Sequence, residues 1–229
     1  MSEDVKLSAN DGHELSAYVA RPAGTPKGAI VVVQEIFGVN AHIRSVVDGY
    51  ANEGYTVIAP ALFDRYERGV ELSYGGEDGK KAFELYAKLS PDTALLDIDA
   101  ASRFLIGEGA KKFGVIGFCF GGLMAWLSAT RGTTVGMHPS CCVGYYAGGV
   151  GNVAEEEPTC PVMLHFGGAD SHIGAEQREA VEKAHPEVQV FVYEGAEHGF
   201  NRDVWSSYHP EAAKLARERT LEFLKMNLQ

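Results

Sequence analysis

Apolar and polar residues alternate over residues 5–9 and again over 15–20, with Asn10-Asp11-Gly12 between them. A period of two marks a strand with one buried face, and the turn residues join the pair as an antiparallel hairpin at a sheet edge. The pattern then changes. Residues 28–34 and 55–60 are unbroken apolar runs rich in β-branched side chains, as expected of strands buried on both faces. Residues 40–53 between them fit a crossover helix that Gly54 ends. Residues 61–80 are polar and glycine-containing and predict a loop or cap. Helical spacing returns over 80–89 and 93–106. Further strands are expected over 112–118, 142–146, 161–166 and 188–193, with a helix over 175–185 linking the last two. Residues 210–228 place Ala213, Ala216, Thr220, Phe223 and Leu224 on one helical face, which should close over the sheet.

An antiparallel start followed by alternating strands and helices predicts one three-layer α/β unit over residues 1–229, with a mostly parallel sheet. Binding sites in such sheets lie outside the carboxyl ends of the strands. Composition narrows the partners. The formal charge is −11, which argues against nucleic acid or an anionic membrane surface. Four cysteines in 229 residues are too few for a disulfide framework, and no Cys-x-x-Cys occurs to suggest structural zinc. No basic-then-apolar leader opens the sequence, and no apolar run approaches membrane-spanning length. The expectation is a cytoplasmic protein, monomeric or a small homo-oligomer, acting on a small molecule.

The segment richest in chemistry is Gly117-Phe118-Cys119-Phe120-Gly121-Gly122. It follows a predicted strand and opens a predicted helix, the layout of a nucleophile elbow, with sulfur in place of the more common hydroxyl. Flanking glycines permit the sharp turn, and the helix N-terminus favours a thiolate and an oxyanion. Asp170 follows the strand ending at Phe166, and His198 follows the one ending near Tyr193. Nucleophile, acid and histidine in this order match α/β-hydrolase chemistry. The thiol needs a base, histidine titrates in the useful range, and a carboxylate orients the imidazole.

Glu35 ends a buried strand, where a carboxylate must be paired or face a cleft. Reaching the thiol would give it a function. The Ile36 N–H then stands where this fold places one oxyanion donor, with the Phe120 N–H as the other. Arg202 either faces solvent or binds a carboxylate with its planar fork. Tyr145 and Tyr146 end a strand, one as a pocket residue and the other in the core. Phe37, Tyr86 and Trp205 are candidate apolar walls. Cys141, Cys142 and Cys160 read as idle thiols. His138, His165, His172 and Asp170 match no standard metal-ligand spacing, so neither metal nor cofactor is expected. The glycines are not spaced as Gly-x-Gly-x-x-Gly, which sets aside a nicotinamide enzyme.

Together, Gln34-Glu35-Ile36-Phe37-Gly38, the cysteine elbow, Gly144-Tyr145-Tyr146, His198-Gly199-Phe200-Asn201-Arg202 and the 218–224 segment resemble the dienelactone hydrolases (carboxymethylenebutenolidases), a cysteine-dependent branch of the α/β-hydrolases. The resemblance spans nearly the whole chain. It implies Cys119, Asp170 and His198 as a triad, with Glu35 holding the resting thiol neutral and accepting its proton when substrate arrives. It also implies Arg202 as a binder of a substrate carboxylate. The familiar second arginine is missing from Gly76-Glu77-Asp78-Gly79-Lys80-Lys81, which leaves Lys80 or Lys81 as stand-ins that lack the planar fork. The expected activity is hydrolysis of a lactone or ester through an acyl-enzyme. A broader carboxylesterase or thioesterase is one alternative, and a non-enzymatic binder of small molecules on a hydrolase scaffold is another.

Overall fold

The structure, a computed structural model, describes all 229 residues. Strands β1 (Ser2–Ser8) and β2 (Glu14–Ala20) form the expected antiparallel hairpin. β2 then pairs antiparallel with β4 (Thr56–Pro60). From there the sheet is parallel through β3 (Ala29–Val33), β5 (Phe113–Phe118), β6 (Cys141–Tyr145), β7 (Val162–Gly167) and β8 (Gln189–Tyr193). The strand order is β1-β2-β4-β3-β5-β6-β7-β8. Every residue of β3, β4, β5, β6 and β7 is buried, which explains their unbroken apolar runs.

Helices cover both faces. A Cβ on Gly114 of β5 would meet Leu224, whereas one on Gly117 would run into the Gly121 backbone. Three residues apart on a strand means opposite faces. So α6 (Pro210–Leu228) lies on one side and α4 (Phe120–Arg131) on the other. α1 (Ala41–Asn52) shares the α6 side, where Arg217 donates to the Gly49 carbonyl at 3.0 Å. α3 (Pro91–Gly107) packs beside α4, and α5 (Ala175–Ala184) links β7 to β8. All five residues assigned to the inner face of α6 are buried.

The cap region differs from its sequence reading. Residues 61–80 are not a plain loop: a short 3-10 turn covers Leu62–Arg65. α2 runs over Gly76–Tyr86, starting earlier than the expected Lys80. Two glycines at positive φ, Gly75 and Gly76, turn the chain into it. Glu77 and Asp78 then sit in the first turn, where the helix dipole favours acids, and Asp78 accepts from the Ser73 N–H at 2.8 Å. Apolar spacing alone missed this polar first turn. The region is tied down by Arg65, which grips buried Asp97 of α3 through Nε and a terminal nitrogen at 2.7 and 2.8 Å. No helix is long and apolar enough to cross a membrane.

The close approach of α4 to β3 depends on Gly121, where a Cβ would collide with the Val33 and Gln34 carbonyls. Gly121→Ala is therefore expected to destabilise the fold by roughly 1–3 kcal/mol, read from the denaturant midpoint. An unchanged midpoint would mean that the helix sits less tightly than described.

Candidate active site

Cys119 lies between β5 and α4 at φ 55° and ψ −115°. For a residue with a side chain this is sparsely populated backbone, held only where the surroundings dictate it. The surroundings do. The Cys119 N–H donates to the Tyr145 carbonyl at 3.0 Å, and its own carbonyl accepts from Leu123 at 3.2 Å. Gly117 makes room for the turning backbone at Gly121. The turn lifts the thiol to the carboxyl end of the sheet, partly exposed. Phe120 opens α4, so its N–H has no carbonyl one turn back to donate to.

Asp170 and His198 come from the loops after β7 and β8. Asp170 is fixed first: one carboxylate oxygen accepts from the His172 and Ile173 N–H groups at 2.8 and 3.1 Å. The other oxygen lies 2.8 Å from Nδ1 of His198, leaving Nε2 for the Cys119 side. Burial opposes charge on both groups, but their mutual contact outweighs it. The Asp170 carboxyl is held below its usual range, and His198, with Asp170 and Cys119 as neighbours, is raised to about 9. The Tyr146 ring stands edge-on to the imidazole at 5.1 Å.

Glu35 is completely buried. Gln34 sets the loop that carries it, accepting from the Leu62 N–H and donating to the Glu35 carbonyl. One Glu35 oxygen accepts from Arg202 Nε at 2.7 Å, and the other from the Tyr74 hydroxyl at 2.7 Å. Burial would raise this carboxyl, yet Arg202, His42 and Tyr74 bring it below the ordinary value. The Arg202 guanidinium sits among Phe37, Tyr74 and Tyr146, at 5.6, 5.0 and 5.9 Å from their ring centres. Such contacts suit a desolvated cation. Only Nε is taken by a protein acceptor, and Arg202 lines the cleft.

The cleft has a volume of about 780 Å³. It brings together Cys119, His198, Arg202, Ile36, Phe120, Phe37, Tyr86 and Trp205, all of them singled out from the sequence. Asp170 stands behind His198. Two expectations need correction, and the open question of Lys80 and Lys81 is answered. Tyr145 does not line the cleft: strand alternation turns it to the α6 side, where its hydroxyl meets Thr220 at 2.7 Å and its ring stacks on Phe118. Tyr146, one residue on, faces the site. Glu35 does not hold the thiol. Both its oxygens are engaged by Arg202 and Tyr74, because charge-assisted and phenolic donors outcompete a weak S–H donor. Lys80 and Lys81 do not reach the cleft either, pairing instead with Glu77 and Glu67 on the surface.

Sequence reasoning missed Tyr74, and weighed His172 only as a metal ligand rather than as a neighbour of His198. Tyr74 sits in an irregular segment, and its partner Glu35 is distant in the chain, so no local pattern announces it. His172 follows Asp170 by two residues, and its ring lies 5.2 Å from that of His198. Asp170, His172 and His198 offer ligand atoms within 4.8 Å of one another, as do Glu157, His185 and Glu187 elsewhere. In the first set both Asp170 oxygens are already engaged. His165, fully buried, is bound to Tyr193 and Thr220, and His138 is exposed. Of the four residues whose spacing matched no ligand pattern, Asp170 and His172 stand together, while His138 and His165 lie apart from them.

Removing one partner of the buried Arg202–Glu35 pair strands the other charge. Arg202→Met is expected to lower stability by roughly 3–5 kcal/mol, and adding Glu35→Gln should recover part of the loss. Denaturant unfolding checks both, and a neutral Arg202→Met would contradict the pairing.

The geometry agrees with what the chain resembles. The family model of the dienelactone hydrolase family matches residues 15–228. A carboxymethylenebutenolidase of Pseudomonas putida is 34% identical over 232 residues, covering 98% of this chain and 96% of that protein. A crystal structure of a dienelactone hydrolase candidate from Klebsiella pneumoniae superposes with a TM-score of 0.83 at 29% identity, covering 97% of this chain and 98% of that one. A dienelactone hydrolase-like promiscuous phosphotriesterase from metagenomic libraries shares the fold, with a TM-score of 0.79 at 18% identity over 100% and 99% of the two chains. The chain belongs to the dienelactone hydrolase family, on the α/β-hydrolase fold.

Proposed function

We propose that this chain hydrolyses an ester or lactone with Cys119 as the nucleophile, through an acyl-enzyme. The observation that carries the reading is His198 held between Asp170 and Cys119 at the mouth of the cleft. His198 takes the thiol proton, and Asp170 stabilises the imidazolium. The thiolate adds to the carbonyl carbon, and the N–H groups of Ile36 and Phe120 receive the developing oxyanion. Collapse breaks the bond to the alcohol oxygen, which leaves with the proton from His198. Water, deprotonated by the now neutral His198, attacks the thioester. The acid departs and the sulfur takes its proton back from His198 or remains paired with it.

Arg202 is the substrate-anchoring cation in this scheme, with its free terminal nitrogens toward a carboxylate. Glu35 and Tyr74 are positioning residues that hold the guanidinium in place. Arg131, the other guanidinium of the cleft, is already paired with Glu156, so a carboxylate is anchored at one end and the rest of the substrate meets apolar walls. Four free cysteines suit a reducing, cytoplasmic setting.

Cys119→Ala is expected to lower kcat/KM by about a thousandfold or more while the protein stays folded. Wild-type rates in that variant would remove the sulfur from the mechanism. pH separates substrates further. With His198 raised to about 9 by Asp170 and Cys119, the proton it takes from the thiol stays on the imidazole through neutral pH and is lost above that value. Alkyl esters, whose alkoxide must be protonated on leaving, should therefore lose rate above about pH 9. A nitrophenyl ester, whose phenolate leaves unaided, should not. Identical alkaline limbs for both would argue against His198 as the leaving-group acid.

A further inference from the structure

The cleft is longer than the reacting centre requires. Cys119, Leu123, Leu127 and Arg131 fall at four-residue intervals on α4 and its cap, and all four line the same cavity. Residues four apart lie one above the other on a helix. At 1.5 Å per residue the strip runs about 18 Å from the sulfur to Arg131. Val153, Ile173 and Phe83 of α2 line the same cavity. Phe83 is 62% exposed and Tyr86 is 39% exposed, large apolar surfaces left facing an open trough. Exposed apolar groups gathered around one cleft mark a binding surface.

The far end carries no unanswered charge. Arg131 donates through Nε and a terminal nitrogen to both oxygens of Glu156, with Thr130 on the same carboxylate. A second anion is therefore not called for there. Arg202 sits elsewhere in the cleft, caged by aromatic rings near the reacting centre.

We propose that the α4 groove is an acyl-chain subsite and that the preferred substrates are esters carrying an unbranched aliphatic chain, laid from Cys119 over Leu123 and Leu127 toward Arg131. The proposal rests on Cys119 as the acylated residue. The acyl chain stays bonded to sulfur through the carbonyl carbon after the alcohol has left, and the proposal gives the groove to that part. Compact acyl groups leave it unfilled and gain nothing from its walls.

The test is a series of p-nitrophenyl esters from acetate through butyrate, hexanoate and octanoate to decanoate. kcat/KM should climb with chain length, by up to about fourfold per added methylene while the chain still finds wall. Octanoate should exceed acetate by at least about tenfold. Two variants at the half-buried Leu123 fill or wet the groove, Leu123→Trp and Leu123→Gln. Each should lower the octanoate-to-acetate ratio about tenfold, with folding checked by thermal melting. Calorimetric binding of the same esters to Cys119→Ala reads the groove without turnover, and affinity there should follow chain length. Tight, length-dependent binding with no turnover in the wild type would sustain the groove and defeat the nucleophile. Turnover of acetate with flat rates and affinities along the series would defeat the groove and leave the nucleophile standing.

Discussion

The cleft depends on one backbone constraint: the chain must reverse between β5 and α4 while keeping a thiol side chain at the apex. Cys119 takes φ 55° to do this, a conformation L residues avoid. Regular packing on either side holds it there. β5 is flanked by β3 and β6, and α4 is drawn so close to the sheet that Gly117, Gly121 and Gly122 cannot carry a Cβ without meeting backbone. The three glycines and the strained cysteine are thus one device. It sets the thiol at the carboxyl edge of the sheet and points a free helix N-terminus at the same spot.

The second organising interaction is the buried pairing of Glu35 with Arg202 and Tyr74. A fully buried carboxylate is tolerated because a guanidinium and a phenol satisfy it. The pair joins the loop after β3, the irregular segment before α2 and the loop after β8. The loops after β3 and β8 are two of the walls of the cleft. Arg202 is in this way held rigidly with one edge of its fork committed and the other presented. A cation that was merely exposed would lose more freedom on binding an anion. The same arrangement occupies both Glu35 oxygens away from the thiol, while His198, beside Asp170 and Cys119, is raised to about 9.

Much of this was legible in the chain. Period-two and unbroken apolar runs located all eight strands, and 3.6-residue spacing found α6 with both its ends. The order of Cys119, Asp170 and His198 along the chain, each after a strand, placed them at one edge before any coordinate was known. What local pattern could not supply were choices made by distant partners. Tyr145 and Tyr146 were indistinguishable until the register with Phe118 and the contact with Thr220 turned one inward. Tyr74 gains meaning only through Glu35, and Lys80 and Lys81 were drawn off by Glu77 and Glu67. The start of α2 was hidden because dipole and capping, rather than apolar spacing, fix it. The helix-like run after the elbow gave no sign of which residues would line a pocket, since burial and pocket lining look alike in sequence.

The central claim is that the sulfur of Cys119 becomes the acyl carrier. Rapid acid quenching of the enzyme during turnover of an activated ester, followed by mass analysis of its peptides, tests it directly. The account predicts one acyl group attached to the peptide bearing residue 119, present during turnover and gone once the ester is exhausted. An enzyme that turns over the ester with no acylated peptide, or with the acyl group on another side chain, would contradict it.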